Sequence, residues 1–147
     1  MKMEKIDFFY RMVTEFCDFF KDNEISDDSI DYLIASLMKI YVAALELPHM
    51  DPETDEVLDP QKCSITIDRK LKTTYWEVFD PWEEETPVCG NLYDDFSDIV
   101  KDLQRGIVEY NNGRIENAVF EWRFGVTGHW GDHTVNVIRA LHWLRFR

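Results

Sequence analysis

The chain is poor in cysteine, glycine and positive charge, and it has no long apolar run. Three cysteines, Cys17, Cys63 and Cys89, stand far apart with no Cys-x-x-Cys pair. That spacing excludes a zinc knuckle or a thioredoxin-type redox site and leaves reduced, structural thiols as the expectation. No stretch approaches the roughly 20 apolar residues of a membrane span. Asp7 and Arg11 interrupt the apolar pattern near the start, against a signal peptide, so a cytoplasmic location is expected. Lys and Arg total 16 against 29 Asp and Glu, a net charge of −13. Such a body repels phosphate backbones, so no nucleic acid is expected as a ligand, and a basic protein partner is the easier match. No Gly-x-Ser-x-Gly elbow occurs. Gly125, Gly128 and Gly131 lack the Lys-Ser and preceding strand of a phosphate-cradling loop.

What the chain has is helical periodicity and aromatic rings. Ile6, Phe9, Tyr10, Val13, Phe16, Cys17 and Phe20 recur at three-and-four spacing and predict a first amphipathic helix. Ser26 with Asp27 and Asp28 marks the start of a second, carried by Ile30, Leu33, Ile34, Leu37, Tyr41, Ala44 and Leu45 and closed by Pro48. From Leu47 to about Lys72 the period is lost among prolines and acids, which predicts a long, irregular, solvated crossover. It lacks the EF-hand spacing and glycine for calcium. Cys63–Ile67 and Thr73–Phe79 are β-prone and could pair as one short hairpin.

Asn91 reads as the N-cap of a third helix bearing Leu92, Phe96, Ile99, Leu103 and Ile107, stopped by Asn111-Asn112-Gly113. From Arg114 onward Ile115, Val119, Trp122, Val126, His129, His133, Val137, Ala140 and Leu144 share one stripe. Three glycines in it, each costing about 1 kcal/mol in a helix, predict a break near Gly128. The expected architecture is all-α: one domain over residues 1–147, a bundle of four or five helices with the acidic crossover and room for one hairpin.

Two stretches carry most of the chemistry. Tyr75-Trp76-Glu77-Val78-Phe79-Asp80-Pro81 precedes Pro87 to Asp95, and Glu121-Trp122-Arg123-Phe124 precedes His129-Trp130-Gly131-Asp132-His133. Together they resemble a bacterial family of small, mainly helical proteins known only as a domain of unknown function. The resemblance spans most of the chain. It implies a helical single domain in a bacterial, cytoplasmic setting and brings no activity or catalytic residues with it.

Two functional readings follow from the residues. In the leading one the chain is a noncatalytic interaction or regulatory module with no cofactor. Tyr75, Trp76, Phe79, Trp82, Arg123 and Trp130 would face a protein partner, since tryptophan and arginine are the usual interface anchors. Glu83-Glu84-Glu85 beside them would favour a basic one. Trp122 is expected in the core. In the alternative reading the chain is a metal-binding helical enzyme, with hydrolysis as its chemistry. His129 and His133 lie four apart on a helix and can share a divalent ion, which Asp95, Asp98 or Glu121 would complete. His129-x-x-Asp132-His133 has Asp where an inverted zinc-protease motif needs Glu, so that protease is set aside. Asp94-Asp95-x-x-Asp98 lacks the second metal motif of terpene synthases. The plainer account of the same residues caps the third helix with Asp94 and Asp95. It also satisfies both histidines with an aspartate of that helix or with Tyr75.

Overall fold

The computed structural model describes residues 2–147. Five helices carry the chain: α1 (Lys2–Asp22), α2 (Ile30–Leu45), α3 (Leu92–Asn111), α4 (Ile115–Gly128) and α5 (Trp130–Phe146). A single 3-10 turn, Asp27–Ser29, leads into α2, and two short strands, β1 (Thr74–Glu77) and β2 (Val88–Asn91), precede α3. None of the helices is long and apolar enough to cross a membrane.

The apolar stripes converge on one hydrophobic cluster drawn from all five helices. α3 lies at its centre and packs on α1, α4 and α5, while α2 closes the other side against α1, α4 and α5. Burying these faces removes apolar surface from water at about 25 cal/mol per Å², the main stabilising term. Trp122 is wholly buried, as expected, and meets Phe9 edge-on with ring centroids 4.9 Å apart. Its indole N–H donates to the Leu103 carbonyl of α3 at 3.0 Å, so the polar end of the ring is not orphaned.

The termini form where local chemistry directs. The Asn91 side chain accepts from the backbone amides of Tyr93 and Asp94 at the start of α3. Asn112 caps the other end, and Gly113 follows at φ 76°, the left-handed turn that stops the helix. The acidic crossover is tied down rather than loose. Asn117 accepts from the Glu53 amide at 2.7 Å and donates to the Thr54 carbonyl at 3.0 Å. Arg114 reaches Glu56 at 2.8 Å.

The strand pairing differs from the expected one. β1 pairs antiparallel with β2, Tyr75 opposite Gly90 and Trp76 opposite Cys89, and not with Cys63–Ile67. Ile67 instead makes an isolated parallel bridge to Ile25. Asp80-Pro81 and Thr86-Pro87 fall in the connection between the strands, where a proline's missing N–H costs no ladder bond. The three cysteines remain free.

Candidate functional site

The break in the last stripe falls at His129, which ends α4 and opens α5 with φ −139° and ψ −83°. Two glycines make that corner tight. A Cβ on Gly131 would come within 1.8 Å of the Val126 carbonyl oxygen, and one on Gly125 within 2.4 Å of the Trp130 ring. Trp130 is therefore pressed into the corner, wholly buried, with its indole N–H donating to the Trp122 carbonyl at 3.0 Å. This corrects the expectation that Trp130 lies at the surface: the flanking glycines admit the ring to the interior. The corner aims both imidazoles at α3, with ring centroids 5.0 Å apart and planes at 89°.

α3 answers with carboxylates. Asp95, Asp98 and Asp102 are three and four residues apart and so lie along one side of the helix. Asp95 and Asp102 are buried, whereas Asp98 is 41% exposed at the side chain. Nδ1 of His129 hydrogen-bonds Asp102, and Nδ1 of His133 hydrogen-bonds Asp95 at 2.7 Å. The Tyr75 hydroxyl donates to the second oxygen of Asp95. Asp102 also meets Arg105 at 3.4 Å. Every buried carboxylate in this group thus has partners from two side chains, as desolvated charge requires.

With each Nδ1 turned to a carboxylate, Nε2 is the nitrogen each ring leaves for another ligand. Asp98 is the carboxylate on that side: its Oδ2 lies 3.3 Å from His133 Nε2. One donor atom from each of Asp98, His129 and His133 falls within 4.8 Å of the other two. Donors bound to one ion at about 2.0–2.1 Å cannot exceed about 4.2 Å from each other. Asp98, 41% exposed at the side chain, has the freedom to turn towards the imidazoles and narrow that gap.

The electrostatics follow from the packing. The hydrogen bond from Asp95 pushes the His133 pKa above the usual imidazole value; burial opposes it, and the charges of Asp95, Asp98 and Glu77 reinforce it. Burial, then the bond to Asp95, lifts the Tyr75 phenol far above its ordinary range, so it stays a neutral donor. Glu77 points the same way from β1 as Tyr75, and its Oε2 is buried with no hydrogen-bond partner.

The site therefore gathers His129, His133, Asp98 and, behind them, Asp95. It does not gather Glu121, whose neighbours are Arg105, Glu109 and Asp102 and whose carboxyl pKa is raised chiefly by burial. Asp102 lies on the same side of α3 as Asp95 and Asp98, as their spacing in the sequence indicates, and stands behind His129. Glu77 is the member that sequence reasoning did not put forward, and strand alternation with Tyr75 was its available signal.

The residues expected to face a partner divide in two. Trp76, Phe79 and Trp82 are exposed at 73%, 79% and 92%. Tyr75 is half-buried and held by Asp95. Arg123 is engaged internally: it donates to the Leu45 carbonyl at 3.0 Å, at the C-terminus of α2, and to His49 Nε2 at 2.8 Å. It caps the end of a helix.

The chain belongs to the family described as Domain of unknown function (DUF5063), which it matches over residues 3–147. It is similar to protein BF1032 from Bacteroides fragilis, known from a crystal structure, with a TM-score of 0.74 at 20% identity over 98% of this chain and 97% of that one. Likeness at that identity speaks for the mainly helical fold. No curated protein matches the chain.

Proposed function

We propose that the α3–α5 corner is a binding site for a divalent transition-metal ion, held by Nε2 of His129, Nε2 of His133 and the Asp98 carboxylate. The observation that carries this is the orientation of the imidazoles: buried Asp102 and Asp95 hold each Nδ1, leaving both Nε2 atoms for one ligand. A carboxylate behind each histidine is the usual outer support of a metal-ligating imidazole and raises its basicity. Two imidazoles and one carboxylate suit zinc, iron or manganese and leave coordination positions open for water or substrate. A bound ion would supply Lewis acidity and a water that ionises near neutral pH, the chemistry of hydrolysis. Glu77, beside Tyr75 on β1, offers a further carboxylate for moving a proton.

The test is metal content. Tag-free protein stripped with chelator and dialysed against zinc, manganese or ferrous iron is expected to keep one equivalent of one of them. His129→Ala with His133→Ala should keep none, and exposed His142→Ala should behave as wild type. Retention of none of the three metals by wild type, or equal retention by the double variant, would defeat the proposal.

A second reading, that of a protein-docking surface, is favoured by the exposure of Trp76, Phe79 and Trp82 in one segment. Rings of that size left in water are rare without a partner to cover them. Trp76→Ala with Phe79→Ala is expected to keep stability within ~0.5 kcal/mol while losing partner cross-links seen with wild type. Unchanged cross-linking would count against it.

A further inference from the structure

A groove of about 1140 Å³ runs between the β1 segment and α5, and Leu92 also lines it. Its one wall is the continuous segment 70–79, and its other is α5 from Asp132 to Arg147. Side chains of a strand alternate between two faces, yet every residue from Lys70 to Phe79 lines this groove, joined from the β2 side by Leu92 alone. Both faces and the edge of β1 therefore border it.

That edge is unpaired. The Leu92 amide donates to the Thr73 carbonyl at 2.7 Å, and the register places Thr74 opposite Asn91 and Trp76 opposite Cys89. Hydrogen-bonded and non-bonded pairs alternate in an antiparallel ladder, so Thr73, Tyr75 and Glu77 point their amides and carbonyls at β2. The N–H and C=O groups of Thr74 and Trp76 point away from β2, and no backbone group meets them among the described residues. An exposed edge of this kind is a template for another strand.

The groove is charge-polarised along its length. Arg145 is bound to Asp31 at 2.6 Å, and Asp68 donates its amide to Ile25 at 2.9 Å, so the end of α5 and the start of segment 70–79 share one end, close to the 3-10 turn. Tyr75 and His133 both reach Asp95, which fixes the opposite end. Lys70 and Lys72 stand at the first end and Arg139 midway, against Asp27 alone. Glu77 and Asp132 stand at the other. Lys70, Lys72 and Arg139 form no ion pair among the described residues, in a chain whose net charge is −13. Trp76 and Trp143, both more than half exposed, offer apolar cover from the two walls.

We infer that β1 takes up an extended peptide as a third strand, with acidic residues of that peptide over Lys70, Lys72 and Arg139. The inference rests on the docking-surface reading and names its occupant and mode. α5 from Asp132 to Arg147 is about 22 Å long at a rise of about 1.5 Å per residue, enough for a strand of about seven residues. Main-chain bonds to Thr74 and Trp76 supply the attachment, and the cations select the partner. The sign differs from the basic partner expected from overall composition, because Lys70, Lys72 and Arg139 line one end and the middle of the groove and form no ion pair among the described residues. Glu85, one of those acids, is turned back on the chain, accepting from the Phe79 amide at 3.0 Å.

The experiment uses the full chain and an eight-residue valine–threonine peptide ending in two glutamates, made in either direction, with a lysine-ended counterpart. Fluorescence anisotropy at low salt is expected to show a glutamate peptide binding roughly tenfold or more tighter than its counterpart, the sum of a few exposed charge contacts. Lys72→Glu with Arg139→Glu should abolish that preference. Amide exchange at Thr74 and Trp76 should slow roughly tenfold or more in the complex. Preference for the lysine peptide, or binding without protection of those two amides, overturns the inference while leaving a docking surface in place. Binding of neither peptide, with partner cross-links still lost in Trp76→Ala with Phe79→Ala, does the same. Self-association that protects Thr74 and Trp76 identifies a second copy as the occupant and overturns it too.

Discussion

The His129–His133 corner and the β1 groove lie on either side of Tyr75 and Glu77, and they differ in how their polar groups are satisfied. At the corner, buried carboxylates, imidazoles and a phenol answer one another, and donor atoms of Asp98, His129 and His133 lie within 4.8 Å of one another. Along the groove, among the described residues, the backbone groups of Thr74 and Trp76 make no backbone hydrogen bond, and Lys70, Lys72 and Arg139 form no ion pair. The first arrangement satisfies its buried polar groups within the protein, and the second leaves backbone groups open. Under the proposals above, the first would take an ion and the second another chain.

The comparison can be broken most severely at its shared scaffold. Trp130→Ala empties the α4–α5 corner that aims both histidines, and should cost about 3–5 kcal/mol in urea unfolding. A loss under about 1 kcal/mol would mean that the corner does not depend on that ring. Next in size, Asp95→Asn removes the charge that holds His133 and Tyr75 and should cost about 1–3 kcal/mol. Asp98→Asn, at the half-exposed mouth, should change stability by no more than ~0.5 kcal/mol yet abolish retention of the ion. Equal effects on stability from the two variants would erase the distinction between support and ligand.

Acidity offers a smaller and more selective test. The folded pKa of His133 lies above its unfolded value, so its contribution to stability without metal is complete below the usual imidazole pKa of about 6.5. It is lost as pH rises through the folded value. Unfolding in chelator at pH 5.5 and 8.5 should therefore show a larger gap between wild type and His133→Gln at the lower pH. A gap that grows with pH would show His133 to be bound as the neutral ring. Smallest of all, Trp82→Ala touches neither region. At 92% exposure it should leave stability unchanged within error.

Much of the scaffold was legible because it is local. The α1 stripe, the Asn91 cap and the stop at Asn112-Gly113 depend on neighbours three or four residues apart. The break after Gly128 was legible for the same reason. Its use was not: glycines around Trp130 look like surface punctuation in sequence, and only the fold shows Gly125 lying beneath the ring. The pairing of β1 with β2 across two prolines joins residues with no local signal between them. In the candidate site, the i,i+4 histidines and the run of aspartates could be read separately. Which aspartate holds which imidazole could not, since α3 and α5 meet only in the folded chain. Arg123 shows the converse, an anchor-type residue that the end of α2 had already claimed.

The claim that the corner holds an ion through two imidazoles is tested most directly by X-ray absorption on protein loaded with one equivalent of zinc. The account expects multiple-scattering features of two imidazole rings, with nitrogen and oxygen at about 2.0–2.1 Å. A shell containing sulfur, or one built of oxygens without imidazole, would place the metal elsewhere and contradict it.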